Sequence, residues 1–199
     1  MSHRALPLAF YRRDTALVAR ELLGMRLCRR LTDGSLLSGR IVETEAYLGE
    51  RDPACHTFGG RHTPRTATMY AAGGVAYVYL IYGMHFCLNA VTRGAGEPEA
   101  VLIRALAGEQ GMDRWQQAFP RLKPAQWLSG PGRLCRALQV DRAHNGLSLR
   151  SGELWIEKGV AVGDEHVAAV ARVGVDYAGE AAQWPLRFYI KGEPAVSRK

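Results

Sequence analysis

The chain has 199 residues, of which 47% are hydrophobic and 23% charged, a composition that fits one globular domain over residues 1–199 and excludes a disordered or membrane-spanning chain. Its 26 basic residues outnumber its 19 acidic ones, so the formal net charge is +7, and 22 of the basic residues are arginine. Because arginine suits bidentate contact with phosphate, this balance favours a nucleic acid as partner.

Signals for export, metals and nucleotide cofactors are missing from the sequence. Residues 1–13 lack the continuous apolar stretch of a secretion signal. The four cysteines form no CxxC pair, so we expect reduced thiols in a cytoplasmic protein. The spacing of cysteines and histidines matches no standard zinc site, and no phosphate-binding glycine loop follows a strand. We therefore expect no metal and no cofactor.

The first predicted elements are a helix and a hairpin. Asp14 can cap a helix over residues 15–23, which Gly24 ends. Two β-rich runs, at 26–31 and Leu36–Tyr47, are joined by a turn sequence and predict an antiparallel pair.

The rest of the chain mixes loop, strand and helix. Residues 49–74, rich in Gly, Pro, Arg and His, predict a surface loop of a length that is usually functional. Apolar runs then predict strands at 75–81, 86–92, 101–106, Leu154–Glu157, 167–175 and 186–190, a turn at 82–85, and helices at 108–118 and 133–139. These elements predict an α+β fold, with a curved, mostly antiparallel sheet flanked by helices.

Glu43, Glu45 and Tyr47 fall on one face of the second predicted strand, because side chains alternate along a strand. Two interpretations fit this pattern. An edge strand with its charged residues in water is the commoner arrangement. The alternative is a site in which an ionisable base lies beside an aromatic platform.

A run of tyrosines is the second candidate feature. Tyr77 on its own fits ordinary sheet packing. Tyr79 and Tyr82, taken together with Tyr47 in a basic chain, indicate a platform for an unstacked base. Tyr82 lies at a turn and is followed by Gly83, a placement suited to a wedge between bases.

Motifs follow one another along nearly the whole chain. They are 43–49 (ETEAYLG), 56–65 (HTFGGRHTPR), 77–84 (YVYLIYGM), Asn89, 129–131 (SGP), 171–175 (ARVGV) and 185–189 (PLRFY). Together and in this order they closely resemble the alkyladenine (3-methyladenine) DNA glycosylase family.

The resemblance implies a monofunctional glycosylase that flips a damaged purine from double-stranded DNA and hydrolyses its N-glycosidic bond, as a monomer. It places Glu45 as the general base that activates water, with Arg104 and the backbone carbonyl of Val173 holding that water. It also implies that Tyr47, His56 and Tyr79 form the pocket walls and that Asn89 forms the pocket floor. Tyr82 would fill the gap that the flipped nucleotide leaves in the DNA. Further DNA contacts are implied for Arg61, Thr63, Met84 and His85.

The implied chemistry also makes sense from the residues themselves. Alkylation of a ring nitrogen gives a purine positive charge, which tyrosine faces attract through cation–π interaction. An ionised Glu45 can take a proton from water and stabilise positive charge on the sugar. No lysine lies between Arg40 and Arg104, which argues against a Schiff-base lyase and leaves water as the nucleophile.

Some features depart from the family pattern or leave alternatives open. Residues 93–99 form a longer segment than in the animal members, and His85 stands where other members can carry an aromatic residue. Residues 129–133 can either bind a phosphate or simply begin a helix. A non-catalytic module that binds unstacked bases and a hydrolase of free nucleosides both remain alternatives. The range of damaged bases also stays open, from 3-methyladenine to hypoxanthine and ethenoadenine.

Overall fold

The computed structural model describes residues 5–198, so residues 1–4 of the N-terminal segment considered above and Lys199 lie outside it. Eight strands occur in this range: β1 Arg26–Arg30, β2 Leu36–Tyr47, β3 Ala76–Ile81, β4 His85–Val91, β5 Ala100–Gln110, β6 Leu154–Glu157, β7 Val167–Val170 and β8 Arg187–Ile190. They form one sheet in the order β3-β4-β5-β2-β1-β6, while β8 pairs with both β2 and β7. Every pair is antiparallel and the sheet curls into a half-barrel, which confirms the predicted α+β fold.

Short helices flank this sheet. The α-helices are α1 Leu8–Tyr11, α2 Thr15–Glu21, α3 Met112–Ala118 and α4 Pro131–Leu138, and 3₁₀ turns lie at Gly49–Arg51, Phe58–Gly60, Ala67–Tyr70, Pro124–Gln126, Arg142–His144, Asp164–His166 and Asp176–Gln183. Helix α2 packs on β2 and β5, and α4 packs on β4 and β5, so the main hydrophobic core lies between these helices and the sheet. In the stretch from 5 to 198, every helix is too short or too polar to cross a bilayer.

Local signals predicted α2 and the first hairpin correctly. The side chain of Asp14 accepts a hydrogen bond from the N–H of Leu17 at 3.1 Å, which is the expected capping contact. The hairpin closes with Arg30 opposite Leu36.

Two predicted boundaries were wrong by a few residues. Residues 108–110 continue β5 instead of starting a helix, because the chain turns only at Gly111, whose φ of 110° favours glycine. His85 pairs with Ile81 in the β3–β4 ladder, so the turn between these strands is limited to residues 82–84.

The predicted strand at 167–175 was also wrong in its second half. It ends at Val170, after which the chain leaves the sheet. Arg172 enters a buried ion pair with Asp52, and the N–H of Val173 donates to a carboxylate rather than to a neighbouring strand. These two contacts outweigh the apolar pattern that predicted a continuous strand.

Strand β2 lies inside the sheet rather than at its edge. It pairs with β5 on one side, and with β1 and then β8 on the other. Glu43 and Glu45 are fully buried as a result. The interpretation of these glutamates as water-facing residues of an edge strand is therefore wrong, and their burial demands partners.

Candidate active site

One cavity of about 530 Å³ brings most of the predicted site residues together. Its walls come from β2 to β5, the loop after β2, the start of α4 and the segment that follows β7. Eight residues singled out by the family resemblance line it: Tyr47, His56, Tyr79, Tyr82, His85, Asn89, Arg104 and Val173. Glu45 lies behind this lining, and Arg61, Thr63 and Met84 lie outside it.

Both carboxylate oxygens of Glu45 are engaged. Oε1 accepts a hydrogen bond from the N–H of Val173 at 2.8 Å and lies 3.2 Å from Nη1 of Arg104. Oε2 accepts a hydrogen bond from the Tyr47 hydroxyl at 2.8 Å. All three partners line the cavity, so the predicted base is held directly behind the cavity wall.

The contact made by Val173 differs from the one that the resemblance implied. The resemblance assigns the backbone carbonyl of Val173 to the water, whereas the observed contact with Glu45 is made by its N–H group. This N–H orients the carboxylate, and the role of the carbonyl stays a prediction.

Glu43 is the centre of a buried ion-pair network behind Glu45. Its Oε1 accepts from Nε of Arg104 at 2.9 Å and from Nη1 of Arg187 at 2.8 Å. Its Oε2 accepts from the N–H of Ser197 at 2.7 Å. Arg104 thus bridges the two glutamates, which confirms that Glu43 and Glu45 share one face of β2.

We expect Glu43→Ala to lower the free energy of unfolding by about 3–5 kcal/mol, because it leaves Arg104 and Arg187 buried without their carboxylate. Urea unfolding followed by circular dichroism at neutral pH measures this change. Glu165→Ala is the matched control, since the side chain of Glu165 is 72% exposed and should contribute within about 0.5 kcal/mol. A loss for Glu43→Ala no larger than that of the control would contradict the proposed network.

The network also makes folding depend on pH. Burial alone raises the pKa of Glu43, but Arg104, Ser197 and Arg187 together outweigh burial and bring the pKa below its usual 4.5. Because the folded-state pKa is depressed, this stabilisation is complete well above pH 4.5 and is lost as the pH falls through the folded-state value. Glu43→Ala should therefore flatten the acid side of the stability curve.

The cavity walls are aromatic. The ring centroids of Tyr77 and Tyr79 lie 5.2 Å apart at an interplanar angle of 34°, and His56 stands edge-on to Tyr79 at 4.6 Å. The guanidinium carbon of Arg65 lies 5.3 Å from the Tyr79 centroid. Burial raises the pKa of Tyr77 to about 12 and those of Tyr47 and Tyr79 well above 10, so these side chains are phenols at neutral pH.

Burial, nearby charge and one hydrogen bond define the surroundings of His56. Burial, and then the charges of Arg65 and Arg61, lower its pKa to about 4, so its imidazole is neutral at pH 7. The Tyr77 hydroxyl oxygen lies 3.0 Å from Nδ1 of His56, within hydrogen-bond distance. Where the phenol donates to Nδ1, the other ring nitrogen, Nε2, carries the proton and is an N–H donor.

Asn89 and Tyr82 both line the cavity but differ in exposure. Asn89 is buried, and its amide donates to the backbone carbonyl of Tyr77 at 3.0 Å, so one amide hydrogen remains for other partners. Tyr82 is 82% exposed at the β3–β4 turn with φ of 52°, and Met84 beside it is also exposed. His85 packs against Gly132 at the start of α4, where a β carbon would lie 3.0 Å from the imidazole.

Two residues that line the cavity were given no role from the sequence. Tyr77, which fitted plain sheet packing, contacts His56 through its hydroxyl and lines the cavity. Tyr177 lines the cavity as well, is 71% exposed and donates to the carbonyl of Ala54 at 3.1 Å. Tyr77 belongs to the 77–84 motif but was given no role there, whereas Tyr177 carried no signal beyond its aromatic character, because its partner Ala54 is remote in the chain.

A buried ion pair lies behind Tyr47. The guanidinium of Arg172 contacts both carboxylate oxygens of Asp52, at 2.5 and 2.8 Å, and its carbon lies 4.8 Å from the Tyr47 ring centroid. Asp52 also accepts from the N–H groups of Leu48 and Ala54. Within residues 5–198, no group of three or more His, Cys, Asp or Glu side chains is arranged so that it could hold a metal ion.

Comparison with known proteins agrees with this geometry. Residues 9–194 match the family model of methylpurine-DNA glycosylases. A protein of Bdellovibrio bacteriovorus provisionally named 3-methyladenine DNA glycosylase is 49% identical over 98% of this chain and 99% of its own length. The mouse DNA-3-methyladenine glycosylase is 44% identical over 94% of this chain and 60% of its own length. The chain therefore belongs to the methylpurine-DNA glycosylase family, whose members are hydrolases of N-glycosyl bonds.

Proposed function

We propose that the chain is a monofunctional DNA glycosylase that takes a damaged purine out of duplex DNA into the cavity and hydrolyses its N-glycosidic bond, which starts base excision repair. The observation that supports this most strongly is Glu45, a buried carboxylate held by Val173, Arg104 and Tyr47 at the wall of an aromatic pocket. A buried carboxylate at a pocket is costly unless it has partners and a task.

For an alkylated purine, the proposed reaction uses water, the side chains described and the backbone of Val173. In an alkylated purine the electrons of the breaking bond move to the base, which leaves uncharged, while positive charge develops at the anomeric carbon of the sugar. Water forms the new bond to that carbon, and Glu45 accepts the proton that the water loses. Arg104 and the backbone of Val173 orient Glu45 and the water.

Recognition of the base follows from the pocket walls. Tyr47 and Tyr79 attract a positively charged purine through their faces, and His56 offers a hydrogen bond from Nε2. The second amide hydrogen of Asn89 would face the exocyclic amine of a normal guanine. Both groups are hydrogen-bond donors, so this contact disfavours guanine. We include hypoxanthine and ethenoadenine in the proposed range; each leaves with the electrons of the broken bond and then takes a proton from water.

The DNA contacts lie around the mouth of the cavity. Tyr82 fills the space left by the flipped nucleotide, as its exposed position at a turn supports. Arg61, Thr63, Met84 and His85 contact the DNA beside it. The protein acts on double-stranded DNA as a monomer and without a cofactor.

The test uses the purified protein with no metal or nucleotide added. Duplexes that carry 7-methylguanine, hypoxanthine or ethenoadenine are incubated with it, and free base and abasic sites are measured. We expect release of base without strand cleavage, since no lysine is among the described residues that line the cavity.

Other outcomes would overturn the proposal. Tight binding of every duplex with no release of base would indicate a module that only binds unstacked bases. Equal activity on free nucleosides would indicate a nucleoside hydrolase, for which the basic excess of the chain has no use.

A further inference from the structure

The ring of Tyr47 lies between the cavity and a charged pair. One side of Tyr47 lines the cavity, whereas Arg172 and Asp52 are buried and do not line it. The guanidinium of Arg172 lies 4.8 Å from the ring centroid and forms a bidentate ion pair with Asp52. A base in the cavity and the guanidinium are therefore separated by the tyrosine ring.

Two polar neighbours have opposite effects on this ring. The hydroxyl of Tyr47 donates to Glu45, and donation to a carboxylate enriches the ring in electrons, which strengthens its attraction for a cation. An unbalanced guanidinium on the ring would do the reverse, since it attracts the same electrons and repels a second cation. Asp52 balances the charge of Arg172 through two short contacts.

We propose that Asp52 is a specificity-determining residue: by neutralising Arg172 behind Tyr47, it allows the cavity to prefer positively charged purines over neutral ones. The inference rests on the proposed function, because it concerns the purines that the same cavity takes. A neutral base such as hypoxanthine has no net charge to be repelled, and the negative charge that develops on it as it leaves would be attracted by an unbalanced Arg172. Its release should therefore not be slowed as that of a cationic purine is.

The expected effect is measurable. A base stacked on the cavity side of Tyr47 would lie within about 10 Å of the guanidinium, and at the effective dielectric of a protein site two unit charges at that separation repel enough to change a rate about tenfold. Asp52→Asn keeps the shape of the side chain and removes its charge.

The experiment compares kcat/KM for 7-methylguanine and for hypoxanthine in duplexes of one sequence. For Asp52→Asn we expect the ratio of the cationic to the neutral substrate to fall about tenfold from the wild-type ratio. The ratio cancels any difference in the fraction of active protein. Glu165→Gln changes an exposed carboxylate outside the cavity lining, so it is the charge-matched control and should leave the ratio unchanged. If the wild type releases no neutral base, dissociation constants of the same duplexes replace the rates.

Arg172→Met tests whether the same ratio of kcat/KM values changes in the opposite direction. It removes the cation and leaves Asp52 on the N–H groups of Leu48 and Ala54, so the ratio should rise several-fold. If the Asp52→Asn variant folds and its kcat/KM falls equally for both substrates, the inference is overturned. If that variant does not fold, an unchanged ratio for Arg172→Met overturns the inference. Failure of both variants to fold would assign the pair to the fold alone and also overturn it. A wild type that releases neither purine would instead overturn the proposed function.

Discussion

Glu45→Gln should slow base release by about 10²–10⁴-fold while duplexes that carry a damaged purine still bind with nearly wild-type affinity. The amide keeps the volume of the side chain, and its oxygen can still accept from Val173 and Arg104. Its nitrogen can donate to the Tyr47 hydroxyl, which accepts instead of donating. The pocket therefore keeps its shape and loses the carboxylate that accepts the proton of water.

Single-turnover release of 7-methylguanine and duplex binding by fluorescence anisotropy measure the two effects separately. Glu50→Gln is a matched control, because Glu50 is exposed and contacts only Tyr70 by a side-chain hydrogen bond in the described residues. Wild-type release by Glu45→Gln would remove Glu45 from the chemistry. Loss of release in a fully folded Glu43→Gln variant, with Glu45→Gln active, would assign the base to Glu43.

Sequence patterns predicted what depends on neighbours along the chain. Helix α2 follows from the capping residue Asp14 and a local apolar stripe, and the first hairpin follows from two β-rich runs around one turn. The alternation that puts Glu43, Glu45 and Tyr47 on one face needs only that β2 is a strand, whatever its place in the sheet.

Partners that are remote in the chain could not be predicted in this way. Glu43 meets Arg187 across 144 positions, and Asp52 meets Arg172 across 120. The β pairing that puts β2 inside the sheet also joins segments far apart in sequence. An apolar pattern at 171–175 predicts a strand. Asp52 is buried, and a buried carboxylate needs a counterion, which Arg172 supplies. This ion pair directs the segment toward the cavity instead of along the sheet.

The residues of the cavity were found through the family motifs rather than through physical pattern alone. Tyr79 and Tyr82 stood out beside Tyr47 as a stacking platform, and their common cavity agrees with that hypothesis. Tyr177 did not stand out, because an isolated aromatic residue in a polar segment has no period to reveal it.

Tyr82→Ala should lower the rate of release from a fully paired damaged site by about 10–100-fold, because unstacking and unpairing a nucleotide cost a few kcal/mol that an inserted ring helps to offset. The substitution should have little effect on the stability of the fold, since the side chain is 82% exposed and its ring packs on little of the protein. Alanine also keeps the β carbon, so the strain at φ of 52° is the same in both proteins.

Flipping is isolated by comparing release rates from two duplexes that carry the same lesion. In one duplex the lesion is fully paired, and in the other it lies in a mismatch that unstacks easily. Tyr82→Ala should recover much of its rate on the mismatched duplex, whereas Glu45→Gln should remain slow on both, because it lacks the base whether or not the purine is already flipped. Val160→Ala, at a position 78% exposed and outside the cavity lining, controls for loss of an exposed apolar side chain. Equal loss for Tyr82→Ala on both duplexes would mean that Tyr82 acts after flipping, on the base already in the pocket.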